Sequence, residues 1–222
     1  MTSVPIKPLM NRLLSGYTKF REEVFPAHRE MFAYLSGSQH PHTLFITCAD
    51  SRVVPNLITQ TDPGEIFTVR NVGNIVPSFG EIMGGVSSAI EYAVAALEVE
   101  NVIILGHSDC GAMKALLFPE DVAEMKAVST WLQQAHAALH VVRENSPQLE
   151  GKSLLRALTE ENVLVQIAHL KTHPAVAARV RRGNLTLSGW VYDIANGEVT
   201  TWDEEQRMFI PLLASVPEPA GV

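Results

Sequence analysis

Five residues in two short stretches of this chain have the types and spacing to bind and use a metal ion. Cys48, Asp50 and Arg52 close the run from Thr43 to Arg52, Thr-Leu-Phe-Ile-Thr-Cys-Ala-Asp-Ser-Arg. His107 and Cys110 close the run from Asn101 to Cys110, Asn-Val-Ile-Ile-Leu-Gly-His-Ser-Asp-Cys. Zinc takes four ligands in a tetrahedron and accepts thiolate, imidazole and carboxylate. Cys48, His107 and Cys110 would supply three, and the His-x-x-Cys spacing lets one tight turn present two of them. Asp50 decides the rest. As a fourth ligand it closes the site; held in a bidentate pair by Arg52, it leaves the fourth position to water. Zinc would then lower the pKa of that water and supply hydroxide. Two thiolates already neutralise the ion, so less acidification is expected than at a three-histidine site. Asp50 would accept the remaining proton of the hydroxide and aim its lone pair at an electrophile. Freed from Arg52, it would swing onto the zinc.

Each residue alone has a plainer reading. A cysteine at a strand end is usually a packed small hydrophobe, and a lone histidine is usually a satisfied polar group. Two cysteines, a His-x-x-Cys and a Cys-x-Asp-x-Arg after two separate apolar runs favour a metal site. A redox pair is the competing use of the cysteines, but the Cys-x-x-Cys spacing is absent.

Both loops follow strand-like runs, and sites in open α/β sheets form outside the carboxyl ends of strands. Helical spacing covers about residues 7–24, and Pro26 and Gly37 bracket a second helix. Strands are expected at Leu44–Cys48, Ile66–Val69, Asn101–Leu105 and Leu185–Ile194. Gly84-Gly85 opens a crossover helix to about Glu98, which makes the flanking strands parallel. Long amphipathic helices are expected over 121–144 and 153–171, with a shorter one from Pro174 to Gly183. Asn196-Gly197 signals a hairpin to an antiparallel strand, Glu198–Trp202. The expected architecture is α/β: a mostly parallel four-stranded sheet with an added antiparallel edge strand and helices on both faces. The whole of 1–222 reads as one domain. The N-terminal helices, about 7–37, have no partner in the sheet pattern and are expected to pack on a neighbouring subunit. The tail, Pro211–Val222, is expected to lie along the surface or a partner.

Composition narrows the classes. The chain has 222 residues, 46% of them hydrophobic, and a formal net charge of -7 that is spread along its length. That balance argues against nucleic acid as a partner. No apolar run reaches the ~18 residues of a membrane helix, and the N-terminal Met-Thr-Ser-Val-Pro-Ile-Lys lacks the apolar core of a secretory signal. The default expectation is a soluble cytoplasmic protein with no membrane partner.

Cys48-Ala-Asp50-Ser-Arg52 together with His107-Ser-Asp-Cys110-Gly111 resembles the β-class carbonic anhydrases. The likeness runs from about Gln39 to Trp202 and includes Pro63-Gly64-Glu65, Val69-Arg70-Asn71 and Ile90-Glu91-Tyr92-Ala93. Ala49 departs from the serine common in the family. The resemblance implies reversible hydration of carbon dioxide to bicarbonate and a proton through a zinc-bound hydroxide. It implies one Zn2+ per chain on Cys48, His107 and Cys110, with Asp50 and Arg52 as the orienting pair. It also implies a homodimer or a higher assembly of dimers, with the site near the subunit interface. Gln39, Phe67 and Tyr92 match the plant-like branch. Gln39 would donate to a substrate or anion oxygen, Phe67 and Tyr92 would wall an apolar pocket, and the Gly111 amide would face the ligand. Plain core packing is the alternative for Phe67 and Tyr92. One branch of the family has an inhibitory bicarbonate site marked by a tryptophan three residues before the first cysteine ligand; Phe45 stands there, which favours the open type. Arg70 reads equally as a structural arginine.

The remaining histidines are scattered and read as surface or helix-face residues. Two other readings stay in view. The first is a hydrolase of the same fold acting on carbon disulfide or carbonyl sulfide. The second is a non-catalytic zinc protein closed by Asp50, with a thiol redox sensor as its weaker relative.

Overall fold

Apolar β-branched and aromatic residues fill Thr43–Cys48, and every residue of that strand is buried. Such a strand must lie in the middle of a sheet covered on both faces. It does so in the computed structural model, which describes residues 6–215 and divides into two units, one ending at Gln39 and the other beginning at His40.

In the first unit, α1 (Ile6–Lys19) widens into one π-turn at Phe20–Val24, then gives way to α2 (Phe25–Ala27) and α3 (Arg29–Leu35). Phe20, Phe25 and Phe32 pack their rings together, with centroids 5.3 to 6.1 Å apart. Leu9, Leu13, Leu14 and Tyr17 on α1 are exposed.

The second unit is built on one sheet. Its strands are β1 (Thr43–Cys48), β2 (Ile66–Asn71), β3 (Asn101–His107), β4 (Thr186–Tyr192), β5 (Val199–Asp203) and β6 (Met208–Pro211), in the order β2-β1-β3-β4-β5-β6. The first four in that order run parallel, as expected, and β5 joins antiparallel through the Asn196-Gly197 turn. The sheet has one antiparallel strand more than the sequence reading allowed. Strand β6 pairs with β5, so the expected tail begins as sheet at its first residue, Pro211. Its turn carries no glycine signal: Arg207 takes the left-handed conformation and Asp203 accepts the Gln206 amide at 2.7 Å. The last seven residues of the expected tail, and Met1–Pro5 at the other end, lie outside the described residues.

The helices are α4 (Pro55–Thr59), α5 (Gly85–Glu91), α6 (Gly111–Leu117), α7 (Lys126–Leu132), α8 (His136–Asn145), α9 (Gly151–Thr172) and α10 (Pro174–Arg181). The single helix expected over 121–144 is broken by 3-10 turns at Pro119–Val122 and Gln133–Ala135. The second break lets Leu132, Ala135 and Ala138 all stay in the core, and the freed Gln134 carbonyl accepts from Gln166. Helix α6 lies in a segment the sequence reading left unassigned.

Alternation along β1 and β3 sorts the core. Leu44, Ile46, Val102 and Ile104 face one side, against Ile90, Val94, Val163 and Leu170. Phe45 and Leu105 face the other, with Trp190. Helix α9 lies on β3 and β4 at close range. A Cβ on Gly106 would stand 2.9 Å from Val163, and one on Gly189 2.7 Å from it. Bare backbone at those two positions lets the helix sit that near the sheet. No helix among the described residues is long and apolar enough to cross a membrane.

Candidate metal centre

Strands β1 and β3 are neighbours in parallel, with Thr47 level with Leu105, so their carboxyl ends leave the sheet at the same edge. The Thr47 hydroxyl fastens them by donating to the Leu105 carbonyl at 3.0 Å. Cys48 ends β1 and His107 ends β3. Ser108 and Asp109 then turn the chain, Asp109 with a φ of +59°, and Cys110 precedes α6. Ser108 anchors the turn to β4: its amide donates to the Tyr192 carbonyl at 2.8 Å and its hydroxyl accepts from the Ile194 amide at 3.0 Å.

This geometry brings Cys48 Sγ, Cys110 Sγ and a His107 nitrogen within 4.8 Å of one another, all three side chains buried. His107 is fully enclosed, and its Nδ1 lies 2.9 Å from the Ser108 carbonyl oxygen. A carbonyl only accepts, so Nδ1 carries the proton and Nε2 holds a lone pair. That Nε2 has no hydrogen-bond partner. A buried nitrogen without a partner costs free energy, and here it meets two sulfurs, a donor set suited to a soft or borderline metal such as zinc. The residues fit the ion. Cys48 is the acidic member of the sulfur pair. The Cys110 thiol and the backbone amides of Gly73 and Asp50 draw its pKa down against the opposing effect of burial. Cys110 is pushed up by its Cys48 neighbour and by burial.

Support for Cys48 comes from far along the chain. The Gly73 amide donates to its sulfur at 3.4 Å. Gly73 has a φ of +82°, and a Cβ there would lie 2.9 Å from that of Ala112. Its carbonyl accepts from Asn162 at 3.1 Å; Asn162 accepts from Gln166 at 2.9 Å; Gln166 accepts from the Val76 amide at 2.9 Å. This chain of buried amides ties α9 to the loop under the sulfur.

Asp50 and Arg52 form a hydrogen-bonded ion pair. Arg52 Nε donates to Oδ1 at 3.0 Å and Nη2 to Oδ2 at 2.8 Å, and the Arg52 amide adds a third bond at 2.9 Å. These bonds, the Arg52 side chain first, hold the Asp50 carboxyl far below the usual carboxylate range. Its Oδ2 lies 3.9 Å from His107 Nε2, beside the ligand cluster. Arg70 binds the loop backbone: Nε donates to the Cys48 carbonyl at 3.2 Å and Nη2 to that of Asp50 at 2.7 Å. Asp109, Lys114, Asn162 and Gln166 were missed. Asp109 stands in the motif itself, and its position between two ligands was the one available signal; the others act through contacts that no local pattern reveals.

Phe67 and Tyr92 are together, ring centroids 6.1 Å apart. Phe67 is level with Leu44, four residues before Cys48, which places it about 13 Å back along the strand. Gly111 opens α6 with free space where a Cβ would be. Gln39 belongs to the N-terminal unit.

A family model for carbonic anhydrase matches residues 43–199. Carbonic anhydrase 1 of Escherichia coli O157:H7 is 47% identical over 93% of this chain and 94% of its own. The solved β-carbonic anhydrase CcaA aligns with a TM-score of 0.89 at 46% identity, covering 91% of this chain and 98% of that one. One of two tetrameric β-carbonic anhydrases from the filamentous ascomycete Sordaria macrospora aligns at 0.70 and 27% identity, over 88% and 94%. Sequence, sheet and ligand cluster agree, and the chain belongs to the β-carbonic anhydrase family of carbonate dehydratases.

Proposed function

We propose that the chain binds one zinc ion through Cys48, His107 and Cys110 and hydrates carbon dioxide reversibly to bicarbonate and a proton. The observation that carries this reading is the unpartnered His107 Nε2, buried with two sulfurs beside a carboxylate already bound in two-point contact by Arg52. Zinc would supply a Lewis acid that makes hydroxide available near neutral pH.

The protein's own groups do the rest. Asp50 stays ionised and acceptor-only, so it takes a hydrogen bond from the O–H of the attacking oxygen and turns a lone pair toward the carbon. Arg52 keeps both Asp50 oxygens in one plane and away from the metal position. Arg70 fixes the Cys48 and Asp50 carbonyls, so the loop does not drift. The Gly111 amide and Gln39 are the proposed donors to a bicarbonate oxygen.

Phe67 and Tyr92 are the proposed apolar wall. Their distance from Cys48 of the same chain favours an assembly in which they face the site of a second copy. The exposed apolar residues of α1 give such an assembly a second surface to bury. A homodimer or a higher assembly of dimers, with the N-terminal helices on a neighbouring subunit, accounts for both.

The test is stopped-flow carbon dioxide hydration from about pH 6.5 to 9 on protein of measured zinc content. Rapid hydration that rises with pH, at one zinc per chain, is expected. Full zinc with no hydration at any pH would overturn the reading. Parallel assays with carbon disulfide and carbonyl sulfide separate the same-fold hydrolases.

A further inference from the structure

Arg52 has two acidic neighbours. After its bonds to Asp50, Nη1 donates to Asp109 Oδ2 at 3.2 Å, and Nη2 also reaches the Asp109 carbonyl at 3.3 Å. The second Asp109 oxygen is bound by Lys114 Nζ, from the middle of α6. Asp109 supplies this carboxylate from a left-handed backbone, φ +59°, where glycine would sit without strain. The position therefore carries a cost that the carboxylate must offset.

A guanidinium presents its five N–H donors in one rigid plane. Bound on one edge by Asp50 and on the other by Asp109, that plane has a single orientation. For Asp50 to turn toward the ligand cluster, Arg52 must let go of it, and Asp109 opposes the rotation that would follow. Lys114 offsets the charge of Asp109, so Asp109 does not draw Arg52 away from Asp50. We propose that Asp109, braced by Lys114, is a positioning residue that holds Arg52 in place and so keeps Asp50 off the metal. This rests on the zinc reading above and adds to it the means by which the open arrangement is held.

The probe is azide, titrated against the full-length protein with cobalt(II) in place of spectroscopically silent zinc. Azide needs the fourth metal position that Asp50 would otherwise occupy, and the visible spectrum reports its binding independently of turnover. Asp109→Gly removes the carboxylate and fits the backbone; Lys114→Gln removes the brace from within a helix. With one cobalt per chain retained, each is expected to weaken azide binding about threefold to fivefold, the scale of half-exposed ion pairs. Lys114→Arg is expected to restore the parent value. Azide binding unchanged in both deletions overturns the proposal, as does Lys114→Arg behaving like Lys114→Gln. Where Asp109→Gly loses metal, Lys114→Gln decides alone. If the parent binds azide but hydrates no carbon dioxide, the hydration reading fails while this one stands. If the parent binds neither, both fall.

Discussion

Replacing Asn162 with leucine should loosen both the fold and the metal centre, by amounts the structure allows to be worked out. Asn162 is 1% exposed. Leucine keeps the branched skeleton of asparagine but is larger, so no cavity is left and crowding adds to the loss. Two partners change. The Gly73 carbonyl loses its bond from Asn162 Nδ2 at 3.1 Å, and Gln166 Nε2 loses its acceptor at 2.9 Å. Gln166 retains a longer contact to the Gln134 carbonyl at 3.4 Å, so its loss is partial. One buried acceptor fully stranded and one donor half-stranded cost about 2–4 kcal/mol. For a chain of this size that lowers Tm by roughly 4–16 °C. The metal should respond too, because the Gly73 amide that donates to Cys48 Sγ is released. Outer partners of this kind are worth roughly 10–100-fold in metal affinity. The assay is calorimetry on metal-loaded protein followed by a chelator competition. Lys152→Gln, on an exposed position of the same helix, serves as the control. A Tm within about 2 °C of the parent, with unchanged chelator competition, would refute the claim that this amide chain supports the cysteine.

Other outcomes follow from the same contacts. Arg52→Ala should cut hydration activity steeply while zinc content stays at the parent level, since Arg52 touches Asp50 and no ligand; atomic absorption and stopped-flow assays check both halves. Glu161→Gln should raise stability at pH 7. Burial pushes that carboxyl above its ordinary pKa, so stability present at low pH is lost as pH rises through the folded-state value. The half-exposed position limits the gain to under about 1 kcal/mol, and it should vanish below about pH 4, as thermal melts at both values will show. Gly189→Ala should destabilise by about 1–3 kcal/mol through overpacking against Val163 and Ile167, read from denaturant midpoints. Chelation of the metal should lower Tm in a manner that added zinc reverses.

The cluster of Cys48, His107 and Cys110 was legible in the sequence because its three members close just two apolar runs. The parallel core was legible for the same reason, and Asn196-Gly197 announced the hairpin by its conformational preference. Strand β6 was not, because Met208-Phe209-Ile210 is too short for a period and its turn uses Arg207 in place of glycine. The bend in the 121–144 helix depends on Gln166 reaching the Gln134 carbonyl, a contact between distant residues. Asn162 and Gln166 lie in a helix whose pattern gives them no distinction from solvent-facing amides; only packing reveals that they are buried. Phe67 and Tyr92 carried a family expectation, and what the fold adds is that their rings lie together with Phe67 level with Leu44.

The ligands are split across about sixty residues, with Cys48 on β1 and His107 and Cys110 at the end of β3. At a synthesis rate of roughly 5–20 residues per second, Cys48 leaves the ribosome about 3–12 s before its partners. During that interval it is a bare thiol on an apolar strand, with β2 free to pair on one side and nothing yet made for the other. An ion held by one sulfur has little to stay for. On the proposed zinc reading, metal capture would wait on the pairing of β1 with β3, and loading would report that the centre of the sheet has closed. A chain stalled before Asn101 would display an open strand edge and an unquenched sulfur together, a state for chaperones and reductants to manage.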